Sequence, residues 1–262
     1  MRIVYLDSVA IEVTRQCNLS CAHCLRGNAQ RCSISKEMIT AFLEPLDGAT
    51  IHDFVFTGGE PLLKPELIRH TLNEFKRFDI TVDRFCLITN GLMYSAKILS
   101  LLMDIYVSAS GDDCDDKFYF AVSTDDFHKN EFNFKQWGTY EENSLRFEAL
   151  NFYREHSIKS PLAEGRAETF GDKPLIEEQH TFGGRVTVDE DNEIRLEDEL
   201  CYVNAKGKVV CGCNWSYKTQ DRIAVCDASK LTEHFEELLA KEKEEERKAN
   251  KAGLKTLTDQ VV

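Results

Sequence analysis

The sequence predicts an α/β protein built on a parallel sheet, with a smaller segment of β-hairpins and a closing helix at its C-terminal end. Three observations carry this expectation. Short apolar runs alternate with amphipathic stretches between residues 8 and 157, the pattern of βαβ units. The glycine-rich and polar motifs of that region fall where apolar runs end; sites of α/β sheets and barrels form at the carboxyl ends of strands. After about Leu175 the pattern changes to alternating apolar residues broken by Asp-Asn and Lys-Gly turn signals, which reads as hairpins.

Taken in order, Ser8–Thr14 reads as a strand ending at a cysteine-rich loop. Ser33–Leu46 reads as a helix capped by Ser35, with Met38, Ile39 and Phe42 at helical spacing. Ile51–Glu60 is an apolar strand ending in glycines. A helix follows with Pro65 near its first position, where the missing N–H costs little. Asp83–Gly91 is a third strand closed by Asn-Gly, and Ser95–Ala109 is helical or ambiguous. Lys117–His128 reads as a fourth strand and Thr139–Ser157 as a helix. A last helix opens at Ser229, with Leu231, Phe235, Leu238 and Leu239 on one face, and is expected to fray beyond Lys241. The division expected is residues 1–180 and 181–262, and no internal repeat is visible.

The 262 residues are enough to bury a sizeable core. A net charge of -13 argues against broad non-specific binding to nucleic acid or an anionic membrane. No apolar run approaches the roughly 18–20 residues of a membrane span. The N-terminus carries Asp7 and Glu12 and no long apolar region, so no signal peptide is expected. A cytoplasmic location follows as the expectation. In that reducing compartment ten cysteines read as metal or cluster ligands rather than disulfides.

"TRQCNLSCAHC", Thr14–Cys24, places Cys17, Cys21 and Cys24 within eight residues. Zinc sites and iron–sulfur clusters usually take four protein ligands. Two readings stand: a zinc knuckle completed by His23 or a remote residue, or three irons of a 4Fe–4S cube whose fourth iron stays open. Cys-x3-Cys-x2-Cys after a first strand resembles the radical S-adenosylmethionine (SAM) superfamily. "TGGE" (Thr57–Glu60), "ITNG" (Ile88–Gly91), "VSTDDFH" (Val122–His128) and "AEGRAE" (Ala163–Glu168) extend the likeness over roughly Val9 to Ala167. It implies a partial (β/α)6 barrel with a small hairpin-and-helix appendage. It also implies a 4Fe–4S cluster on the three cysteines, with SAM chelating the open iron. Reductive cleavage of SAM would then give a 5′-deoxyadenosyl radical that abstracts hydrogen from a substrate.

The same likeness assigns SAM contacts to Gly58, Gly59, Glu60, Asn90, Ser123 and Asp125. It sets Arg166, on a fifth-strand element, against the SAM carboxylate, where bidentate geometry suits arginine. His23, before the third cysteine, occupies a position near the adenine. The competing readings are a βα turn for the glycines, solvated strand ends for Asn90, Ser123 and Asp125, and a surface ion pair for Arg166. For His23 the competing reading is a loop residue without contact.

Cys201, Cys211, Cys213 and Cys226 form a second group. Their segment resembles a shortened twitch or SPASM extension, which implies an auxiliary 4Fe–4S cluster. Zinc, or a cluster-free remnant with buried thiols, stays open, since the full cysteine array is missing. Cys86 reads as core, and Cys32 and Cys114 have no partner spacing. The implied partners are a peptide or small-molecule substrate and an electron donor such as flavodoxin or ferredoxin. The runner-up substrates are a nucleotide, a tRNA base or a small metabolite. A reading from another class is a non-catalytic, zinc-stabilised binding module.

Overall fold

The computed structural model describes residues 1–111, 117–172, 181–183 and 185–258, with side chains through residue 249. Cys114 and the expected division at residue 180 lie outside the described residues.

One twisted sheet organises the chain. Strands β1 (Arg2–Thr14), β2 (Thr50–Gly58), β3 (Thr81–Thr89), β4 (Phe118–Ser123) and β5 (Tyr153–His156) run parallel and side by side in chain order. Helices α1 (Lys36–Leu43), α2 (Pro65–Arg77), α3 (Ala96–Ser108), α4 (Asp126–Lys129) and α5 (Phe134–Glu148) form the crossovers. Local chemistry sets their ends. The Ser35 hydroxyl accepts from the Met38 amide at 3.2 Å and the Ser95 hydroxyl from Ile98 at 3.2 Å, each satisfying an orphan N–H at a helix start. Ser95–Ala109, ambiguous in sequence, is therefore a helix. The core is aromatic: Phe54 and Phe56 on β2 meet Phe85 on β3, and Phe54 packs edge-on to Phe75 of α2 at 4.8 Å.

The region expected as one helix, Thr139–Ser157, is corrected. Helix α5 starts earlier, because Asn133 and Gln136 close a capping box. It ends at Glu148, and Tyr153–His156 is strand β5, paired with Phe120–Ser123. Four residues carry too short a period to betray a strand, and the open edge of β4 decides it.

Beyond residue 185 the chain returns to the same sheet. Strands β6 (Val186–Val188), β7 (Glu193–Val203), β8 (Lys208–Cys211) and β9 (Cys226–Asp227) are joined antiparallel, as expected of hairpins. Yet β7 also runs parallel to β1, Ile3 facing Ile194 and Ile11 facing Val203. The order is β5-β4-β3-β2-β1-β7-β8-β9. The barrel is open, and its sixth parallel strand lies beside β1 rather than beside β5. Helices α6 (Tyr217–Ile223) and α7 (Leu231–Thr258) complete the chain. Helix α7 continues past Lys241 instead of fraying there; its exposed glutamates and lysines are good helix formers. No helix among the described residues is long and apolar enough to cross a membrane.

Candidate active site

Because β1–β5 are parallel, Thr14, Gly58, Thr89, Ser123 and His156 end them at one rim. A cavity of about 460 Å³ opens there. Cys17, Cys21, Cys24, His23, Gly58, Gly59, Glu60, Asn90, Ser123 and Arg166 all line it. These were singled out on five separate stretches of sequence, and folding brings them to one place. Asp125 is not among the lining residues.

The cysteine loop is held at its root by the glycines. The Gly59 amide donates to the Thr14 carbonyl at 2.7 Å and the Glu60 amide to that of Gln16 at 2.9 Å. A Cβ on Gly58 would stand 2.2 Å from the Thr14 oxygen, and one on Gly59 would stand 2.3 Å from that of Gln16. The close approach these glycines permit is thus to the cysteine loop's own backbone. Arg166 is corrected in position: it sits on a 3-10 turn, Gly165–Ala167, not on a strand. Its Nε donates to the Cys21 carbonyl at 2.8 Å and its amide to that of Cys24 at 3.0 Å. Its two terminal nitrogens make no hydrogen bond among the described residues.

The donor set fits an iron–sulfur cluster. Burial pushes the Cys17 thiol up to about 11 and the Cys21 thiol up to about 12, and the neighbouring sulfurs add to this. The Leu19 N–H, 3.5 Å from the Cys17 sulfur, and the Arg166 guanidinium act the other way. Such thiols become thiolates when bound iron supplies the positive charge. With the cluster loaded, the native protein should carry about four irons per chain. A variant with Cys17, Cys21 and Cys24 all replaced by alanine should carry none, measured by iron assay after anaerobic reconstitution.

Glu60 is buried and fully engaged. Its carboxylate accepts from the Leu62 amide at 3.0 Å, the Thr89 hydroxyl at 2.9 Å and the Asn90 amide at 2.8 Å. Burial pushes its carboxyl up against these bonds. It ties the end of β2 to the end of β3. The Asn90 side chain donates to Asn18 Oδ1 at 2.8 Å, and so holds the cysteine loop rather than pointing free. The Asp125 carboxylate caps α4 and pairs with His128 (2.9 Å to the amide, 2.8 Å to Nδ1). His23 stacks on Phe127 at 4.8 Å, and burial pushes its imidazole down to about 4.

The second cysteine group does not assemble as four. Cys201 and Cys211 face each other across β7 and β8, and Cys226 is on β9 beside them. All three lie in or against the main core. Strand β8 stops at Cys211, so Cys213 does not share its face; it packs instead against Tyr202 and Trp215 in a separate cluster. Cys86 is half-buried and lines another cavity rather than the core. The Cys32 sulfur lies 3.6 Å from the Ala205 carbonyl.

Sequence reading missed the residues that close the cavity from the C-terminal side, Asn214 and Tyr217. Arg26, half-buried over the Tyr202 ring, donates to the Cys213 and Trp215 carbonyls at 2.6 and 2.8 Å. Glu164 accepts from the Ser216 amide at 3.0 Å and the Thr219 hydroxyl at 2.6 Å. No local pattern marks these partners. His128 and His156 also line the cavity; the first had a signal, an Asp-x-x-His spacing at a strand end.

Residues 11–139 match the family model described as Radical SAM superfamily. GTP 3',8-cyclase of Chlorobaculum tepidum is 31% identical over 102 residues, which is 37% of this chain and 29% of that protein. The chain thus matches less than a third of that relative's length. Among solved structures, native anSMEcpe with bound AdoMet and Cp18Cys peptide superposes with a TM-score of 0.54 at 12% identity, covering 88% of this chain and 79% of that one. The same enzyme with Kp18Cys peptide gives 0.54 at 12%, over 87% and 79%. These likenesses speak for the fold. The cysteine loop and the glycine–glycine–glutamate turn both fall inside the family match, and residues 11–139 are a radical SAM superfamily domain.

Proposed function

We propose that this protein is a radical SAM enzyme that removes a hydrogen atom from an unactivated C–H bond of its substrate. One observation supports it above the rest: the three cysteines, Glu60, Asn90, Ser123 and Arg166 line a single cavity at the carboxyl end of the sheet. When bound, the cluster and SAM supply the one-electron cleavage and the radical, and the protein orients them and limits water. Cys17, Cys21 and Cys24 hold the cluster. Arg166 offers its terminal nitrogens to a carboxylate. Glu60 and Asn90 fix the loops around it, and the buried Ser123 sits at the end of β4. A flavodoxin or ferredoxin is the electron donor this chemistry asks for.

The substrate we propose is a peptide, in keeping with the peptide-bound neighbours of the same fold. The match to GTP 3',8-cyclase favours a nucleotide as the second reading.

The test is 5′-deoxyadenosine released from SAM and dithionite under anaerobic conditions. Native protein should form it, and Cys21→Ala should fall by about a hundredfold or more, as expected when an essential catalytic group is removed. Product that survives the substitution, or a colourless protein with stoichiometric zinc, would refute the assignment.

A further inference from the structure

The cavity holds polar groups that neither the cluster nor Arg166 uses. Ser123 at the end of β4, His128 in α4 and His156 at the end of β5 line it, on the side of the sheet away from β7–β9. His128 is the best built of the three. Asp125 Oδ1 accepts the His128 amide at 2.9 Å, and Oδ2 lies 2.8 Å from Nδ1 of the same residue's ring. The Asp125 side chain is only 2% exposed. Burial alone would push its carboxyl up, but the hydrogen bonds and charge of His128 bring it down to about 2, so it is ionised.

An ionised carboxylate can only accept hydrogen bonds. It therefore keeps a proton on Nδ1, and in the neutral ring the lone pair sits on Nε2. That nitrogen has no hydrogen-bond partner among the described residues. The ring is also fixed in place: His23 meets it edge-on at 4.7 Å and stacks in turn on Phe127. His23, Asp125 and His128 are close enough to share a metal ion, but both Asp125 oxygens are already engaged by His128. A held imidazole with a free lone pair in a cavity is the arrangement of a general base.

We propose that His128 Nε2 accepts a proton from the substrate, with Asp125 as its positioning residue; this rests on the radical SAM reading of the same cavity. The substrate class is a molecule carrying an O–H or N–H group near the carbon that loses hydrogen. The O–H or N–H bond breaks with its electron pair left on the oxygen or nitrogen, and an N–H bond forms at Nε2. No electron changes hands in this step. The resulting imidazolium is stabilised by the Asp125 carboxylate beside it.

Diethyl pyrocarbonate, which acylates an unprotonated imidazole nitrogen, serves as the probe on the reconstituted holoenzyme, with labelled residues mapped by peptide mass spectrometry. His128 should be labelled with SAM present as well as absent. Asp125→Asn should slow that labelling about tenfold or more, because asparagine no longer fixes the tautomer. Absence of labelling on native protein overturns the proposal. So does labelling that SAM abolishes, which would turn the ring toward the cofactor. Should Asp125→Asn fail to fold, long-range proton–nitrogen spectra of native protein with labelled histidine decide the tautomer: Nδ1–H is expected, and Nε2–H overturns the assignment. If native protein forms no 5′-deoxyadenosine, the radical SAM reading fails by itself, and the substrate-free spectra still report on His128.

Discussion

Arg15→Met is expected to remove about 3–5 kcal/mol of stability, the cost of leaving a buried charge without its partner. Arg15 and Glu12 have no exposed side-chain surface, and Arg15 Nε donates to Glu12 at 2.5 Å. The other nitrogens reach Asp221 at 2.9 and 3.2 Å, Gln220 at 3.1 Å and Gln30 at 3.1 Å. Glu12 in turn accepts from the Tyr202 hydroxyl at 2.8 Å and the Ala205 amide at 3.2 Å. Removing the guanidinium strands Glu12 in the core and leaves α6 without its tie to β1. Glu12→Gln in the same background should restore part of the loss, since the stranded group is then neutral. Urea unfolding of the metal-free protein measures both. A loss below about 1 kcal/mol would mean the network is no more than an exposed ion pair in its effect. Because Arg15 sits two residues before Cys17, iron uptake should fall as well.

Gly59→Ala is expected to abolish cluster loading while leaving most of the fold intact. The added Cβ would stand 2.3 Å from the Gln16 oxygen and 3.1 Å from the Cys17 Cβ. Neither neighbour is the tip of a flexible side chain, so the backbone that carries Cys17 must move. Overpacking of this kind costs about 1–3 kcal/mol. That is survivable for a sheet of this size, whereas cluster ligands tolerate little displacement. Iron per chain and visible absorbance should drop to background, with far-ultraviolet circular dichroism close to native. Native iron content in the variant would show that the turn does not set the cysteine geometry.

Much of this protein was legible residue by residue. The strands leading to the cysteine loop, to "TGGE" and to "ITNG", and the cap at Ser35, carry short-range signals, and each forms as expected. Strand β5 was hidden because Tyr153–His156 is too short for a period and exists through its pairing with β4. Asp125 belongs to a segment that resembles the family's fourth-strand SAM contact; its hydrogen-bond partner in the fold, His128 three residues on, comes within reach only once the chain turns into α4. Arg166 lines the cavity from a 3-10 turn rather than from the strand element expected.

The chemistry of the site was written locally: Cys-x3-Cys-x2-Cys and three strand-end motifs need only neighbouring residues to be recognised. What encloses the site was not. Strand β7 joins β1, Arg26 reaches Trp215, and Arg15 reaches Asp221 across 206 positions. Such pairings depend on which open sheet edge and which buried charge remain after the local elements have formed. No period or spacing in one stretch of chain records them, so tertiary structure alone decided which C-terminal cysteines lie together and what closes the cavity.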